Sequence, residues 1–383
     1  MKGIKKYLKR TYQNDLNKLY KFLVPTDATT LRLNSDRIKT TKKYDYIILD
    51  NCIGDILDIQ NFFSKVKKIV RPNGRVIVSY YNYVWEPILK TASLVGLRKK
   101  VKEQNWLDNE DIGNLLSITG YDVITRQKRF FGLTTYVIAR PKQLSKQRHT
   151  VSIIIPARNE AGNISTIIKR VPKFGSKQEI IFVEGHSVDD TWLKIQKLST
   201  KNKKIKSFKQ KGIGKYDAVK LGFKNSTGDI LIIYDADMTV NPLDLVKFYD
   251  ALCEGYGDFA NGTRLVYPME KDAMQTLNKF FNKFFSIIFT WILGQRFKDT
   301  LCGTKALFRQ DYFKINKTSK LFGKDPFGDF YLIFGAIKIN LKVVEIPVRY
   351  GERKYGSTNI SRFKHGLQLI KMIITAYYRF KLW

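Results

Sequence analysis

Three apolar runs in the second half of this chain each stop at a polar loop, and that pattern constrains the fold more than any other feature. In "VSIIIPARNEAGNI" a strand over Val151 to Ile155 is expected to stop at Pro156, and Ile164, Ile167, Ile168 and Val171 then recur at helical spacing. "EIIFVEGHSVDDTW" repeats the design, with a strand over Ile180 to Val183, a polar turn and a helix expected to be capped by Asp189. "GDILIIYDADMTVNP" supplies a third buried strand that runs into two carboxylates. Such strands fit a parallel α/β sheet that binds nucleotides beyond its carboxyl ends.

Asp235-Ala236-Asp237 is the strongest single feature. Residues two apart on an extended segment share a face, so both carboxylates are expected to converge on one site. Two adjacent carboxylates repel unless a cation lies between them. A hard, oxygen-preferring ion, Mg2+ or Mn2+ bridging to a diphosphate, answers that repulsion. Asp235 and Asp237 are therefore the candidate metal ligands.

The chain has a seam at "RPKQLSKQRHT", residues 140 to 150, which is polar, basic and without periodicity. Before it, "YDYIILDN" and "RVIVSYYN" read as buried parallel strands. Ile59, Phe62, Phe63, Val66, Ile69 and Val70 form a helix between them that "RPNG" breaks, and "YDVITRQKRFF" and "TTYVIARP" form a hairpin. This order resembles the C-terminal part of a class I S-adenosylmethionine methyltransferase over roughly residues 40 to 140. That family binds its cofactor over a Gly-rich turn, and the matching "TTLRLNSDRI" has no glycine. Residues 1–142 are thus expected to be a truncated, degenerate Rossmann-like methyltransferase remnant that binds no S-adenosylmethionine, with 143–150 as linker.

After the seam, "IIIPARNEAGNI", "VEGHSVDDTW", "GKYDAVKLGF", "DADMTVNP", "NGTR", "DTLCGTKALFR" and "VVEIPVRYGERKYGSTNISRF" occur in a fixed order. Together they resemble glycosyltransferase family 2, and within it the dolichol-phosphate (polyprenyl-phosphate) mannosyltransferase-like branch. The resemblance implies a GT-A-type α/β domain over 151–383, a nucleotide-sugar donor, a divalent metal and inversion at the anomeric carbon. It implies that Pro156, Ala157 and Glu160 meet the nucleoside, that Glu184 contacts base or ribose, and that Asp189 supports that loop. Lys211, Gly214 and Lys215, in "KGIGK", match the segment along the donor. Arg264 and Arg353 match phosphate-binding arginines. Thr239 replaces a glutamine often found as third metal ligand, and Asn359 stands where a lysine is common. Near where related enzymes keep an acidic residue, "GKDPFGDF" offers Asp325 and Asp329. Asp329 is the candidate base, with a loop-ordering carboxylate as the competing reading.

Other singled-out residues read as structural. His186 is a turn residue, His149 lies in the linker, His365 is a surface residue, and Cys302 is small and buried rather than nucleophilic. Three cysteines without CxxC spacing argue against a disulfide framework or a cysteine-zinc site.

Sixty-eight Lys and Arg against 34 Asp and Glu leave a net charge of +34, which favours anionic partners. No zinc motif, aromatic RNA-binding pattern or helix-turn-helix signal supports nucleic acid as that partner. "LNKFFNKFFSIIFTWILGQRF" and "HGLQLIKMIITAYYRFKLW" instead combine aromatics with lysine and arginine, as amphipathic helices lying on anionic lipid do, with a core helix as the competing reading for the first. The longest uncharged apolar stretch, Phe284 to Gln295, is twelve residues, against the ~20 a spanning helix needs. No apolar region of the signal-peptide type follows "MKGIKKYLKR". The expectation is a cytoplasmic enzyme, peripheral to the inner membrane face, that moves a sugar to a polyprenyl phosphate. The alternatives are transfer to a hydroxyl of an envelope polysaccharide or glycolipid, a basic nucleic-acid-binding protein, and a working methyltransferase.

Overall fold

A computed structural model describes residues 2–98, 104–143, 147–267, 276–318, 325, 328–353, 355–356 and 362–382. The chain divides into two compact units, Met1–Gln143 and Leu144–Leu382.

The first unit opens with helix α1 (Lys2–Leu23), where sequence reading found only a basic segment. Leu16, Leu19, Tyr20 and Leu23 fall at i, i+3, i+4 and i+7 and pack on Tyr46, Ile48, Ile77 and Ile138. The sheet follows: β1 (Thr30–Leu33), β2 (Tyr44–Asp50), α2 (Ile59–Ile69), β3 (Val70–Tyr81), α3 (Glu86–Leu94), α4 (Asn109–Ile118), β4 (Tyr121–Arg129) and β5 (Thr134–Pro141). Asp58 caps α2 by accepting the Asn61 N–H at 2.8 Å, and the expected apolar face of α2 is buried. "RPNG" does end that helix, at Ile69, but it already belongs to β3. The strand order is β1-β2-β3-β5-β4, with β1 to β3 parallel and β5 antiparallel to both neighbours. The glycine-free "TTLRLNSDRI" thus supplies an edge strand, β1.

In the second unit the three apolar runs become β6 (Val151–Ala157), β7 (Gln178–Glu184) and β9 (Ile230–Ile233). Between them lie α5 (Ile164–Arg170), α6 (Thr191–Lys201), β8 (Ile205–Lys209) and α7 (Lys215–Lys224). After β9 come α8 (Leu245–Cys253), β10 (Phe259–Thr263), α9 (Thr276–Leu293), β11 (Lys305–Phe308), α10 (Arg309–Lys317), α11 (Asp329–Lys338), β12 (Val343–Pro347) and α12 (Arg362–Lys381). The seven strands run β12-β10-β11-β9-β6-β7-β8. β9, β6, β7 and β8 are parallel, and β11 is antiparallel to both β9 and β10.

Alternate residues of β6 explain the layering. Val151, Ile153 and Ile155 join α5, α6 and α8 in the main core, whereas Ile154 meets Gly222 of α7. Pro156 does not stop the strand as expected, because β6 continues to Ala157. Tyr234 N–H donates to Ile154 O at 2.9 Å, so the residue two positions on faces a neighbour that has already ended. The missing N–H of Pro156 breaks no ladder bond there.

Gly222 sets how closely α7 approaches the sheet: a Cβ there would lie 2.5 Å from Ile154 Cγ2 and 3.3 Å from Val183 Cγ2. Gly222→Val is expected to cost about 3 kcal/mol by overpacking, read as a lowered urea midpoint.

Candidate active site

Because β6, β7 and β9 are parallel, their carboxyl ends bring three loops to one edge of the sheet. The first two loops are laced together. Asn159 accepts the Val188 N–H at 2.9 Å, Ser187 Oγ accepts the Asn159 N–H at 3.1 Å, and Thr191 Oγ1 accepts the Glu160 N–H at 2.8 Å. Asp189 accepts the Ala161 N–H at 3.2 Å and the Thr191 N–H at 3.0 Å. Burial raises the Asp189 pKa, but these bonds outweigh it and hold the carboxyl below its usual value. Asp189 does not cap α6 as expected; Asp190 holds that position without a side-chain bond. Pro156 and Ala157 close β6 beside Glu184, which is buried and accepts the Ser187 N–H at 2.5 Å. His186 is a turn residue with φ +60° whose Nε2 lies 2.8 Å from Gly212 O.

Asp235 and Asp237 lie on a turn after β9 rather than on an extended segment. Met238 takes φ +55°, and its N–H donates to Asp235 O at 3.3 Å. The expectation of a shared strand face is corrected accordingly: the turn places the carboxylates, and two cations hold them. Lys215 Nζ lies 2.6 Å from Asp235 Oδ1. Arg353 Nη2 lies 3.0 Å from Asp237 Oδ2, and its Nη1 lies 2.8 Å from Glu160 Oε1. Burial lowers the Lys215 pKa, but Asp235, Asp329 and Asp237 together overcome it and raise the ammonium above its usual range. Burial raises the Glu160 carboxyl, and the opposing pull of Arg353 and Asn163 does not fully cancel it.

Two glycines make room here. Gly214 caps α7 with φ +94°, a conformation that suits glycine and puts Lys215 in the first helical turn. A Cβ on Gly303 would come under 3.0 Å from both Asp235 Oδ2 and Lys215 Nζ. Lys211 precedes this turn, in the loop after β8.

The donor set suits a hard divalent ion. Asp235 and Asp237 each offer oxygens, and among the described residues no group of three or more His, Cys, Asp or Glu is placed to hold a metal. A Mg2+ or Mn2+ ion that draws the rest of its shell from diphosphate and water fits two carboxylates. Thr239, in the position of the common glutamine, orients a ligand instead: its N–H and Oγ1 both donate to Asp237 Oδ1, at 3.1 and 2.9 Å.

Two expected roles change. Arg264 is committed to Asp299, with Nε 2.6 Å from Oδ2 and Nη2 2.9 Å from Oδ1, so its guanidinium is a largely enclosed, paired ion and not a free phosphate ligand. Asn282 of α9 also donates to Asp299, at 2.9 Å. Asp329 is buried and ion-paired at 3.1 Å with Lys305, whose side chain is wholly buried and also donates to Cys302 O. An unencumbered base is therefore not what the fold presents at Asp329. Asp325 accepts the Tyr331 N–H at 2.8 Å, a loop-ordering role. Cys302 is buried, as expected. Asn359 lies outside the described residues, as does the side chain of His365.

Sequence reading missed Lys305, Gly303 and Tyr355. The first two sit in the motif "DTLCGTKALFR", where a lysine amid apolar strand residues was the available signal. Tyr355 Oη donates to Asp189 Oδ2 at 3.3 Å, and its ring fills the space a Cβ on Gly162 would need.

Asp299 gives a pH-dependent test. Burial raises its carboxyl, but Arg264 and the other donors dominate and lower it to about 2. A depressed carboxylate stabilises the fold above its unfolded value and loses that contribution as pH falls through the folded one. Asp299→Asn, which leaves Arg264 buried and unpaired, is expected to cost about 3–5 kcal/mol at pH 7. In urea titrations the gap between wild type and variant should narrow as pH drops from about 4 toward 2.

The family model described as "Glycosyl transferase family 2" matches residues 152–316. A dolichol-phosphate mannosyltransferase of Pyrococcus furiosus is 31% identical over 217 residues, 55% of this chain and 59% of that protein. Glycosyltransferase AglJ of Haloferax volcanii is 28% identical over 218 residues, 56% of this chain and 68% of that protein. The chain thus spans under two thirds of the length of the Pyrococcus relative. Among solved structures, glucosyl-3-phosphoglycerate synthase from Mycobacterium tuberculosis is 16% identical with a TM-score of 0.43, covering 61% of this chain and 80% of that one, a likeness too low to bear on the site. Over residues 152–316, within the second unit, the chain is thus similar to glycosyl transferase family 2.

Proposed function

We propose that the second unit is a metal-dependent, inverting glycosyltransferase that moves a sugar from a nucleotide-sugar donor to a polyprenyl phosphate. The observation that carries this reading is the acidic pair Asp235/Asp237 with Lys215 and Arg353 against it, at the carboxyl edge of parallel strands. The laced loops holding Glu160, Glu184 and Asp189 supply a rigid, polar platform for base and ribose. Bound at Asp235 and Asp237, a divalent ion would screen the charge of the leaving diphosphate. Lys215 and Arg353 are close enough to stabilise the same charge as it develops. A phosphate monoester acceptor is largely ionised at neutral pH (second pKa ~6), so its oxygen needs no strong base. The ion pair of Asp329 with Lys305 accords with that acceptor.

A screen of UDP- and GDP-sugars with Mn2+ and a short-chain prenyl phosphate tests this. Transfer is expected, and Asp237→Ala should reduce kcat/KM by at least ~10²-fold. Asp329→Asn leaves the buried Lys305 unpaired and should lower stability, but per folded molecule it should reduce kcat/KM far less. Wild-type turnover only on a hydroxyl acceptor, lost in folded Asp329→Asn, would replace this reading with transfer to a glycan or glycolipid hydroxyl.

We infer that the acceptor is met on an anionic bilayer surface. No described helix is long and apolar enough to cross a membrane. α9 nonetheless exposes Phe284, Ile287 and Trp291, and α12 exposes Leu367, Ile370 and Ile374. The helices touch where Trp291 stacks on Tyr377 with centroids 5.9 Å apart, and Lys381 Nζ lies 5.2 Å from the Trp291 ring. Neither helix contains an acidic residue, and both carry lysines. Apolar, aromatic and cationic groups on one paired surface match lipid headgroups over acyl chains, and the cytoplasmic face is where nucleotide sugars are made. In sedimentation assays the protein should bind vesicles containing phosphatidylglycerol and bind neutral phosphatidylcholine vesicles weakly. Replacing Trp291, Ile370 and Ile374 together with Ser should weaken partition at least ~10-fold.

For the first unit, we propose that the methyltransferase-like segment is a non-catalytic module that binds no S-adenosylmethionine. Asp50, at the carboxyl end of β2, is taken up by Tyr20, Gln13 and Arg32, which supports that reading.

A further inference from the structure

Every oxygen pair that a divalent ion would use in this site already faces a cation of the chain itself. Asp235 holds Lys215 at 2.6 Å and Asp237 holds Arg353 at 3.0 Å. Arg353 also has a carboxylate outside the acidic pair: it keeps Glu160 at 2.8 Å through its other nitrogen. We propose that Lys215 and Arg353 are resident counter-ions that exchange partners, from carboxylate to diphosphate, so that metal and nucleotide reinforce each other's binding. This rests on the metal–diphosphate reading given above.

The charge balance argues for coupling. A divalent ion arriving alone must take oxygens from an ammonium and a guanidinium while both stay beside it, and like charges at that range repel strongly. A diphosphate arriving alone meets three carboxylates, Asp235, Asp237 and Glu160, against two cations. Arriving together, the ion takes the carboxylates and the diphosphate takes the cations, and each charge ends opposite its complement. Local geometry permits the exchange without unfolding anything. Lys215 sits in the first turn of a ten-residue helix, where an anion is favoured, between Gly214 and the bare Cα of Gly303. Arg353 can release one nitrogen while Glu160 keeps the other. Glu160 thus acts as a positioning residue that keeps Arg353 in place once Asp237 is withdrawn from it.

The readout is Mn2+ binding, followed by the loss of the free-ion electron paramagnetic resonance signal and by calorimetry, with UDP and GDP as the nucleotides. In wild type, Mn2+ alone should bind weakly, and one of the nucleotides should tighten it by at least ~10-fold, with the same factor returned on nucleotide affinity. Lys215→Met should bind Mn2+ alone more tightly than wild type, with the coupling factor reduced. Lys215→Arg, which restores the counter-charge, should return to weak binding and controls for folding. Mn2+ affinity that is equal with and without nucleotide, or unimproved in Lys215→Met while Lys215→Arg behaves as wild type, overturns the exchange and leaves the glycosyltransferase reading standing. No Mn2+ binding under any condition overturns both.

Discussion

The parallel pairing of β6 with β9 fixes the position of the acidic pair and, through it, of Arg353. The last register pair is Ile154 with Ile233, and one further bond, Tyr234 N–H to Ile154 O, carries the chain just past the strand end. Tyr234 is buried and donates its hydroxyl to Val240 O at 2.9 Å, which clamps the turn holding Asp235 and Asp237 at both ends. Gly351 N–H then donates to Thr239 O at 2.8 Å, so the segment that delivers Arg353 is tied to the same turn. A shift in the strand pairing would move carboxylates and arginine together.

Two kinds of ion pair serve different ends here. Arg264 with Asp299 is enclosed, bidentate and tied to Asn282 of α9, and removing either partner strands a charge away from water. Lys305 with Asp329 is equally enclosed. Lys215 with Asp235 and Arg353 with Asp237 are partly open to solvent, so a charged ligand can compete for them. Enclosed pairs hold the frame, and accessible pairs offer exchangeable charge. The same arginine chemistry appears in both, and only its surroundings separate the roles.

α9 links the two regions of the second unit that matter for function. Its polar side, Asn282, Ser286 and Thr290, bonds to Asp299, Lys298 O and Phe297, the stretch leading to Gly303 beside Asp235. Its opposite side exposes Phe284, Ile287 and Trp291. One helix therefore braces the stretch beside Asp235 with one face and presents an apolar surface with the other.

Apolar runs that end in polar loops made the strands β6, β7 and β9 and the loops after them legible, because such interruptions are local properties of the chain. The acidic pair was legible for the same reason, standing where an apolar run ends. Local reading went wrong wherever the answer depended on a distant partner. Pro156 stays in its strand because β9 has already ended beside it. Arg264 is spoken for because Asp299, 35 positions on, folds against it. Asp329, at the start of α11, meets a buried lysine from β11, and α1 needed a sheet to show which of its faces was apolar enough to matter. Sequence determined which residues carry charge and which segments are regular; tertiary structure decided which charge faces which, since Coulomb energy and desolvation depend on separation in space and not along the chain.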